Sequence, residues 1–348
     1  MTRRRFPRPP ILFALAIAWA LGASHAAPPH TFTAASYNLA NWGTSDRWSE
    51  GRYLEDAPKP APEREAAIAI LRHINPDILA VQEIIRHPKD RNLADFRNAL
   101  RDGGLDYPAH CAVRGYDERI QIALFSRFPI VETRALNRDT YEITRRTGSG
   151  AKARTERSTR RVERGFIHAI VQPRPDYRLE VFVAHLKSQL PIPEYDDPDE
   201  PGQAMIRRRE AEILRRHIDG RLAANPDANI LVLGDLNDTL NSRPLQILCG
   251  RKSDPVRMYP LWLGDYLRDA WTHFYRPARE YSLLDYVIAS QGLFNEYSPS
   301  RSHVYRERPG DPKTLHWDSA SDHRPVVATF YARDLSYAEK ERLEPTHP

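Results

Sequence analysis

Short apolar runs rich in valine, isoleucine and leucine recur along the whole chain. Several of them are almost continuously hydrophobic, which is typical of strands covered on both faces, since a strand with one solvated face alternates apolar and polar residues. Between some of these runs, apolar residues recur at helical spacing, over 62–75 and 203–222. The pattern therefore predicts a layered α/β or α+β architecture. The predicted strands are Thr33–Leu39, Ile78–Val81, Ile120–Phe125, Val181–Ala184, Ile230–Leu233, Leu283–Ile288 and Val326–Phe330.

The first 26 residues have the layout of a signal peptide. Four arginines precede an apolar run from Ile11 to Ala23, and this run is too short to span a bilayer comfortably. Small residues before position 27 predict cleavage after Ala26. The consecutive arginines leave both the twin-arginine and the general secretory export routes open. We therefore expect a secreted or periplasmic protein with no transmembrane segment after the signal peptide is removed.

The rest of the chain shows neither an internal repeat nor a Gly/Ser-rich linker. We predict one domain over residues 27–335, then a polar C-terminal tail over 336–348, and we expect a monomer. Its two cysteines, Cys111 and Cys249, either form one disulfide in an oxidising compartment or remain two separate buried thiols.

Charge restricts the class of partner. The formal net charge of +5 falls to about +1 when the arginines of the signal peptide are removed, so a basic surface spread over the whole molecule is excluded. A local basic segment remains at Asn137–Gly165, with nine Lys/Arg against four Asp/Glu, and we expect it to be a long mobile connection between two strands. This segment either contacts a polyanion or is a solvated loop. A second segment, Pro191–Pro201, is acidic and proline-rich and is expected to be an extended loop.

Polar side chains follow the predicted strands at the points where the strands end. Asn38, Glu83, His185 and Asp235 each come at or just past an apolar run, and Asn237 lies two residues further on. Strand ends direct side chains from distant parts of a chain into one crevice, which is where layered α/β proteins place ligand sites. The segment Ser321-Asp322-His323-Arg324-Pro325 precedes the last predicted strand and puts a candidate metal ligand beside a candidate general base.

With these motifs the chain resembles the endonuclease/exonuclease/phosphatase superfamily over residues 33–332. The resemblance implies a four-layer α/β sandwich in which two mixed β-sheets pack face to face with helices on the outside. It also implies a metal-dependent hydrolase of phosphoester bonds. The matching motifs, in the family's order, are Tyr37-Asn38-Leu39, Gln82-Glu83, His185-Leu186, Gly234-Asp235-Leu236-Asn237, Leu284-Asp285-Tyr286 and Ser321-Asp322-His323.

The resemblance also implies roles for single residues. Glu83, with Asn38 and Asp322, would bind Mg²⁺, with Mn²⁺ or Ca²⁺ as alternatives, since these ions prefer oxygen ligands. His323 and Asp285 would be the base dyad. The other expected roles are water positioning or second-metal binding for Asp235, hydrogen bonding to phosphoryl oxygens for Asn237 and His185, and phosphate contact for Arg119 and Lys187.

The substrate stays open between two classes. A nuclease cutting DNA or RNA is favoured by Arg119 and by the basic segment. A sphingomyelinase-like or inositol-phosphate-type enzyme is the alternative, motivated by an aromatic segment that would lie either in a membrane interface or in the core. A non-catalytic binding protein on the same fold is the remote alternative. The aromatic segment comprises Tyr259, Trp262, Tyr266, Trp271, Phe274 and Tyr275.

Overall fold

The computed structural model describes residues 31–49, 51–147, 154–190, 203–251, 253–254 and 256–343. The predicted signal peptide, the Pro191–Pro201 loop and the last five residues of the predicted tail lie outside the described residues. Within the described part, no helix is long and apolar enough to cross a membrane.

Two six-stranded mixed sheets occupy the centre of the molecule. The first sheet contains, in order across it, β17 (Tyr297–Val304), β18 (Val326–Tyr331), β1 (Thr31–Trp42), β4 (Ile78–Ile85), β6 (Ile120–Ser126) and β5 (Ala109–Val113). The second contains β13 (Met258–Pro260), β16 (Asp285–Ser290), β12 (Ile230–Asp235), β11 (Tyr177–His185), β10 (Phe166–Arg174) and β7 (Ile130–Leu136).

The two sheets share one pairing pattern. In the first sheet β1 is parallel to β4 and antiparallel to β18, while β4 is antiparallel to β6. In the second sheet β11 is parallel to β12, and the outer neighbours β10 and β16 are again antiparallel. Each parallel pair therefore has both carboxyl ends at the same edge of its sheet.

The first four helices in the described part of the chain cover the outer faces of the two sheets. The helices are α1 (Ala61–Ile74), α2 (Arg91–Asp102), α3 (Ala204–Ala224), α4 (Arg243–Cys249), α5 (Gln291–Asn295) and α6 (Tyr337–Leu343), with short 3₁₀ turns at Lys313–Leu315 and Trp317–Ser319. One hydrophobic cluster lies between the sheets, a second lies under α3 and α4, and a third lies under α1 and α2. The expected four-layer α/β sandwich with two mixed sheets and outer helices is confirmed.

The predicted helices and strands are found with small shifts of their ends. Helix α1 ends where Asn75 takes a left-handed conformation and its N–H donates to the Leu71 carbonyl oxygen over 2.7 Å. Such a left-handed residue is a common way to stop a helix. Cys111 lies on β5 beside the cluster between the sheets, and Cys249 ends α4 beside the cluster under α3. Both are free thiols, so of the two alternatives the structure has separate thiols.

The basic segment connects two strands, β7 and β10, as expected, and its described part is a hairpin; its mobility stays a prediction. Residues Thr140–Thr147 (β8) and Arg154–Arg161 (β9) form an antiparallel hairpin. Tyr141 and Ile143 bury their side chains in the cluster under α3, which anchors one face of the hairpin. Because the strand pairing is local and one face is packed, the segment folds despite its charge.

Two further antiparallel hairpins lie outside the two large sheets. They are β2 (Thr44–Ser49) with β3 (Arg52–Pro58), and β14 (His273–Tyr275) with β15 (Glu280–Ser282). The first follows the carboxyl end of β1. The second directly precedes β16, whose first residue is opposite Asp235. The β8–β9 hairpin connects the ends of β7 and β10 that pair level with Ala184. All three hairpins therefore rise from the edge of the sandwich at which the parallel strands end.

Candidate active site

Four predicted site residues continue the inward-facing register of their strands. Asn38 lies an even number of residues from Ala34 on β1, so its side chain points to the same face. His185, Asp235 and Asp285 likewise lie an even number of residues from residues of their strands in the cluster between the sheets. All four are buried. His185, Asp235 and Asp285 are also direct neighbours across three adjacent strands. The apolar interior thus ends at this edge in a row of buried polar side chains, which need partners or a ligand.

A glycine brings two of these strands together. Gly234 has φ of +152°, and a Cβ atom placed on it would lie 1.8 Å from the carbonyl oxygen of Ala184. Only glycine fits such an approach between β11 and β12. The next residues on the two strands then face each other, with His185 Nε2 lying 3.5 Å from Asp235 Oδ2.

Two further site residues have left-handed backbone conformations. Glu83 has φ of 63° and Asn237 has φ of 52°. The pairing of β4 with β6 shifts between Val81 and Ile84, so a β-bulge redirects Glu83 at the end of β4. Glutamate is disfavoured in this conformation, and strain of this kind is concentrated at functional sites.

The two side chains of the predicted base dyad lie next to each other. His323 Nδ1 lies 2.8 Å from Asp285 Oδ2, and both side chains are buried. Burial opposes protonation of His323, but the Asp285 carboxylate and then that of Asp235 outweigh it and raise the pKa of the imidazole. Thr272 Oγ1 accepts hydrogen bonds from the backbone N–H groups of Leu284 and Asp285 over 3.0 Å each and so fixes the start of β16.

Asp235 lies at the centre of the group. Asn38 Nδ2 donates to its Oδ2 over 3.0 Å, and the Asn237 backbone N–H donates to its Oδ1 over 2.8 Å. Its Oδ2 is also 3.9 Å from His323 Nε2. Burial raises the pKa of Asp235, and the charge of Asp285 raises it further, although His323 and the two donors act in the opposite direction. A raised carboxyl pKa beside a histidine is typical of a catalytic site.

His185 is held as a neutral imidazole. Burial lowers its pKa well below the usual value, and the positive charges of Arg164, His323 and Lys187 lower it further. Its Nε2 lies 4.0 Å from Glu83 Oε1 as well as near Asp235. Within the described part of the chain its buried Nδ1 has no hydrogen-bond partner. A neutral imidazole can donate one proton to an anionic oxygen, which agrees with the expected contact to a phosphoryl group.

The acidic side chains fit a hard divalent cation. Asp235, Asp285 and His323 offer ligand atoms that lie within 4.8 Å of one another. The Oδ1 atom of Asp285 is buried without a hydrogen-bond partner among the described residues, so a positive charge there would satisfy it. Glu83 belongs to no group of three ligand atoms within the described residues. It reaches the cleft formed by His185, Asp235 and His323 through its 4.0 Å approach to His185.

Asp322 lies on the other side of His323. Burial raises the pKa of Asp322, but the nearby His273 ring and His323 lower it more, so the carboxylate is anionic. Asp322 forms a second group of ligand atoms with His273 and His323, again within 4.8 Å of one another. Among the described residues, the carboxylates of Glu83 and Asp322, two of the predicted metal ligands, thus belong to no common group of ligand atoms, although each lies beside another site residue.

Asn38 and Asn237 are engaged with the protein as well as facing the cleft. The side-chain amide nitrogen of Asn237 donates to the Leu186 carbonyl oxygen over 3.0 Å, and Asn38 Oδ1 accepts from the Ala40 N–H over 3.0 Å. The Asn237 amide thus holds the segment that follows His185, whereas the Asn38 side chain holds the backbone two residues further along its own strand.

The two predicted phosphate contacts lie further out. Arg119 is exposed just before β6, and the pKa of Asp46 on the β2–β3 hairpin is lowered by hydrogen bonds from Asp56 and Tyr53 and, to a smaller extent, by the charge of Arg119. Lys187 is half-buried, with Nζ 4.0 Å from Glu163 Oε2. Its backbone N–H donates to the buried Glu210 over 3.2 Å. Arg119 is thus available at the rim, whereas Lys187 already faces a carboxylate.

Sequence reasoning missed several residues that support the site. Ser321 Oγ donates to the Asn38 carbonyl oxygen over 2.8 Å and accepts from the His323 N–H over 3.0 Å. Arg207 Nε lies 2.8 Å from Asp238 Oδ2, and its guanidinium also donates to carbonyl groups of the loop after His185. Ser321 was visible inside a motif. Arg207 lies on α3, where no local pattern distinguishes it from the neighbouring arginines.

Several solved structures have a similar fold. Truncated TDP2 from Caenorhabditis elegans superposes with a TM-score of 0.53 at 16% identity, covering 87% of this chain and 98% of that one. The human Nocturnin catalytic domain with bound sulfate gives a TM-score of 0.54 at 13% identity, covering 86% and 94%. SmcL gives 0.53 at 17%, covering 87% and 99%. At these identities the likeness shows the fold alone.

The sequence itself carries the assignment to a family. No curated protein matches it significantly. The sequence model of the endonuclease/exonuclease/phosphatase family, however, matches residues 40–323, a stretch that contains every site residue described above except Asn38. By this match, and by the four-layer sandwich with its dyad, the chain belongs to the endonuclease/exonuclease/phosphatase family.

Proposed function

We propose that the protein is an exported, Mg²⁺-dependent nuclease that hydrolyses phosphodiester bonds in DNA or RNA. The observation that carries the hydrolytic part is the buried His323–Asp285 dyad, separated by 2.8 Å, which opens on the same cleft as Asp235 and His185. The intact dyad argues against a non-catalytic binding protein.

The residues divide the chemistry as follows. His323 Nε2 faces Asp235 at 3.9 Å and accepts a proton from the attacking water, while Asp285 holds Nδ1 and stabilises the imidazolium that results. Asp235, fixed by Asn38 and Asn237, orients that water. A divalent cation held in the site would neutralise charge on the phosphoryl oxygens, and its positive charge would favour the neutral, proton-accepting form of His323.

Negative charge on the phosphate needs further partners in the transition state. His185 donates a hydrogen bond from its neutral ring, and Asn237 lies beside it. Glu83, Asn38 and Asp322 would hold the metal ion. Their oxygen ligands suit Mg²⁺, or Mn²⁺ or Ca²⁺ in its place.

We prefer nucleic acid as the substrate because of the exposed arginines around the site. The β8–β9 hairpin rises from the edge that carries His185, and Arg154, Arg157 and Arg161 are exposed along it. Arg119 is exposed at the same edge of the other sheet. Exposed arginines around a phosphoester-cleaving centre suit a substrate with several phosphates in sequence.

Export is part of the proposal because residues 1–26 have the composition of a cleaved signal peptide. A nuclease outside the cytoplasm would act on extracellular or periplasmic nucleic acid. Sequencing the N-terminus of secreted protein tests this part, and material that began at Met1 would contradict it.

A lipid or small-molecule phosphoester is the second candidate. The exposed fractions of Trp262, Tyr266 and Tyr275 are 76%, 47% and 46%, so this part of the aromatic segment is not core. Exposed aromatic rings near a phosphoesterase site are also suited to a membrane interface.

A substrate panel decides between the two. Purified protein is assayed on single-stranded and duplex DNA, RNA, sphingomyelin, inositol phosphates and bis-nitrophenyl phosphate, each with Mg²⁺, Mn²⁺ or EDTA. We expect cleavage of nucleic acid with Mg²⁺ and none with EDTA. Cleavage of sphingomyelin with intact nucleic acid would replace the first candidate by the second, and inertness of every substrate would reject both.

A further inference from the structure

His273 is fixed beside the site although no motif contains it. It begins β14 and pairs with His323 through an isolated antiparallel bridge. The adjacent Phe274 N–H donates to the Asp322 carbonyl oxygen over 2.9 Å. The imidazole rings of His273 and His323 lie 4.6 Å apart between centroids. Backbone pairing therefore holds a third side chain with metal-binding capacity against Asp322 and His323.

The spacing of these side chains suits a shared metal ion better than a hydrogen bond. His273 Nε2 lies 3.8 Å from Asp322 Oδ2, which is longer than a normal hydrogen bond. Two ligand atoms bound tetrahedrally to zinc at its usual bond lengths are about 3.4 Å apart. One ring nitrogen of His323 completes a set of three ligand atoms within 4.8 Å of one another.

We infer that His273, Asp322 and His323 form a zinc site and that zinc bound there inhibits the enzyme. Two imidazoles and one carboxylate are a common zinc ligand set, whereas Mg²⁺ prefers oxygen ligands. The side chains of His273 and Asp322 are 17% and 45% exposed, so the ion enters from solvent and keeps a water as its fourth ligand.

Inhibition follows from the position of His323. One of its ring nitrogens is bonded to Asp285, and the other faces Asp235. Zinc on the first nitrogen breaks the dyad, and zinc on the second occupies the atom that accepts the proton. The inhibitory part of this inference rests on the proposed function, but the binding part does not.

The test compares three proteins in direct binding and in activity. His273→Phe keeps an aromatic ring against His323 and removes the nitrogen ligand. His316→Phe is the matched control, because His316 is half-buried in a neighbouring segment and belongs to neither ligand group. Zinc affinity and stoichiometry are measured by equilibrium dialysis without Mg²⁺. Visible absorption of Co²⁺, used as a stand-in for zinc, reports nitrogen ligation. Thermal unfolding confirms that each variant folds.

Loss of even an outer-shell partner weakens metal affinity by about 10- to 100-fold, so losing His273 should weaken zinc binding by at least that range. We expect His273→Phe to lose the Co²⁺ spectrum and to resist zinc inhibition at saturating Mg²⁺, and His316→Phe to behave as the wild type. Unchanged zinc affinity in folded His273→Phe would overturn the site, and unchanged inhibition would overturn its regulatory role. If zinc binds through His273 while wild-type protein cleaves no phosphoester, the zinc site stands and the proposed function fails.

Discussion

The side-chain amide of Asn38 donates a 3.0 Å hydrogen bond to the carboxylate of Asp235, and this bond connects the two sheets at the edge where their parallel strands end. Asn38 on β1 and Asp235 on β12 are each the last buried residue of the strand face that points toward the other sheet. The catalytic cleft is therefore built across the junction of the two halves of the sandwich, and its geometry depends on how they pack.

The first prediction concerns His323. His323→Ala removes the proton acceptor, and general base catalysis contributes about 10²- to 10⁴-fold to a rate, so we expect kcat on bis-nitrophenyl phosphate to fall within that range. The variant should fold, because Asp285 keeps the hydrogen bond from its backbone N–H to Thr272 Oγ1, but its thermal midpoint should fall, since the buried Asp285 carboxylate loses its partner. Retained turnover in a folded variant would show that another group is the base.

The second prediction concerns stability at Asp235. Burial and Asp285 raise its pKa above that of an unfolded aspartate. The folded protein therefore binds the proton of Asp235 more tightly than the unfolded chain does. The contribution of this carboxyl group to stability is greatest at low pH and is lost as pH rises above the usual carboxyl range. Asp235→Asn should therefore unfold at a higher temperature than the wild type at pH 8 in EDTA, with a smaller difference at pH 4.

The same variant should lose at least about 10²-fold in activity, because the group that orients the water is gone. Unfolding is followed by circular dichroism, and activity is followed with Mg²⁺ present. A variant that is less stable than the wild type at pH 8 would show that the Asp235 carboxylate is well compensated in the metal-free protein.

The third prediction concerns the cation. Glu83→Gln removes a charge from the cleft and should raise the Mg²⁺ concentration for half-maximal activity by at least about tenfold. The rise in thermal midpoint on adding Mg²⁺ should shrink in parallel. Glu118→Gln is the control, since Glu118 is an exposed glutamate close to the same edge. An equal effect of both changes would point to general charge screening instead of a ligand.

The fourth prediction concerns the β8–β9 hairpin. Reversing the charges of the exposed Arg157 and Arg161 to glutamate should weaken nucleic-acid binding and flatten its salt dependence by about 1 in log–log slope for each phosphate that the hairpin no longer neutralises. Cleavage of bis-nitrophenyl phosphate should not change. Arg178→Glu is a matched control at the opposite end of the sandwich. Equal weakening of binding by all three arginine changes would mean that binding is not localised on the hairpin.

The fifth prediction concerns Gly234. Gly234→Ala places a Cβ atom 1.8 Å from the Ala184 carbonyl oxygen, so β11 and β12 must separate next to His185 and Asp235. We expect a loss of more than about 2 kcal/mol in the free energy of unfolding, measured with urea. Gly220→Ala, in α3 with open space around it, should cost nothing and gain up to about 1 kcal/mol.

Much of the site could be predicted because it depends on strand periodicity. Asn38, His185, Asp235 and Asp285 each sit at or next to an apolar run, and the period of two in a strand then decides which face they occupy. The match of the six motifs to one family supplied their order and the fold. Pairing of His323 with Asp285 followed from the resemblance and was found as expected.

Other features depend on tertiary contacts that no local pattern shows. The bulge that turns Glu83 and the approach of His273 to Asp322 both arise from neighbouring strands. The hairpin in the basic segment was not predicted because only Tyr141 and Ile143 indicate a strand, and their burial needs α3 beside them. Trp262 and Tyr275 are exposed although aromatic residues are usually buried.

The position of the three hairpins affects how such a protein can evolve. Each is inserted at a strand end, so its length and composition can vary without shifting the pairing of the twelve central strands. Recognition by the β2–β3 and β8–β9 hairpins is thereby separable from bond cleavage, whereas β14–β15 also holds Asp322 and His323 through its backbone. Exchange of β2–β3 or β8–β9 between members of the family is accordingly a direct way to transplant specificity.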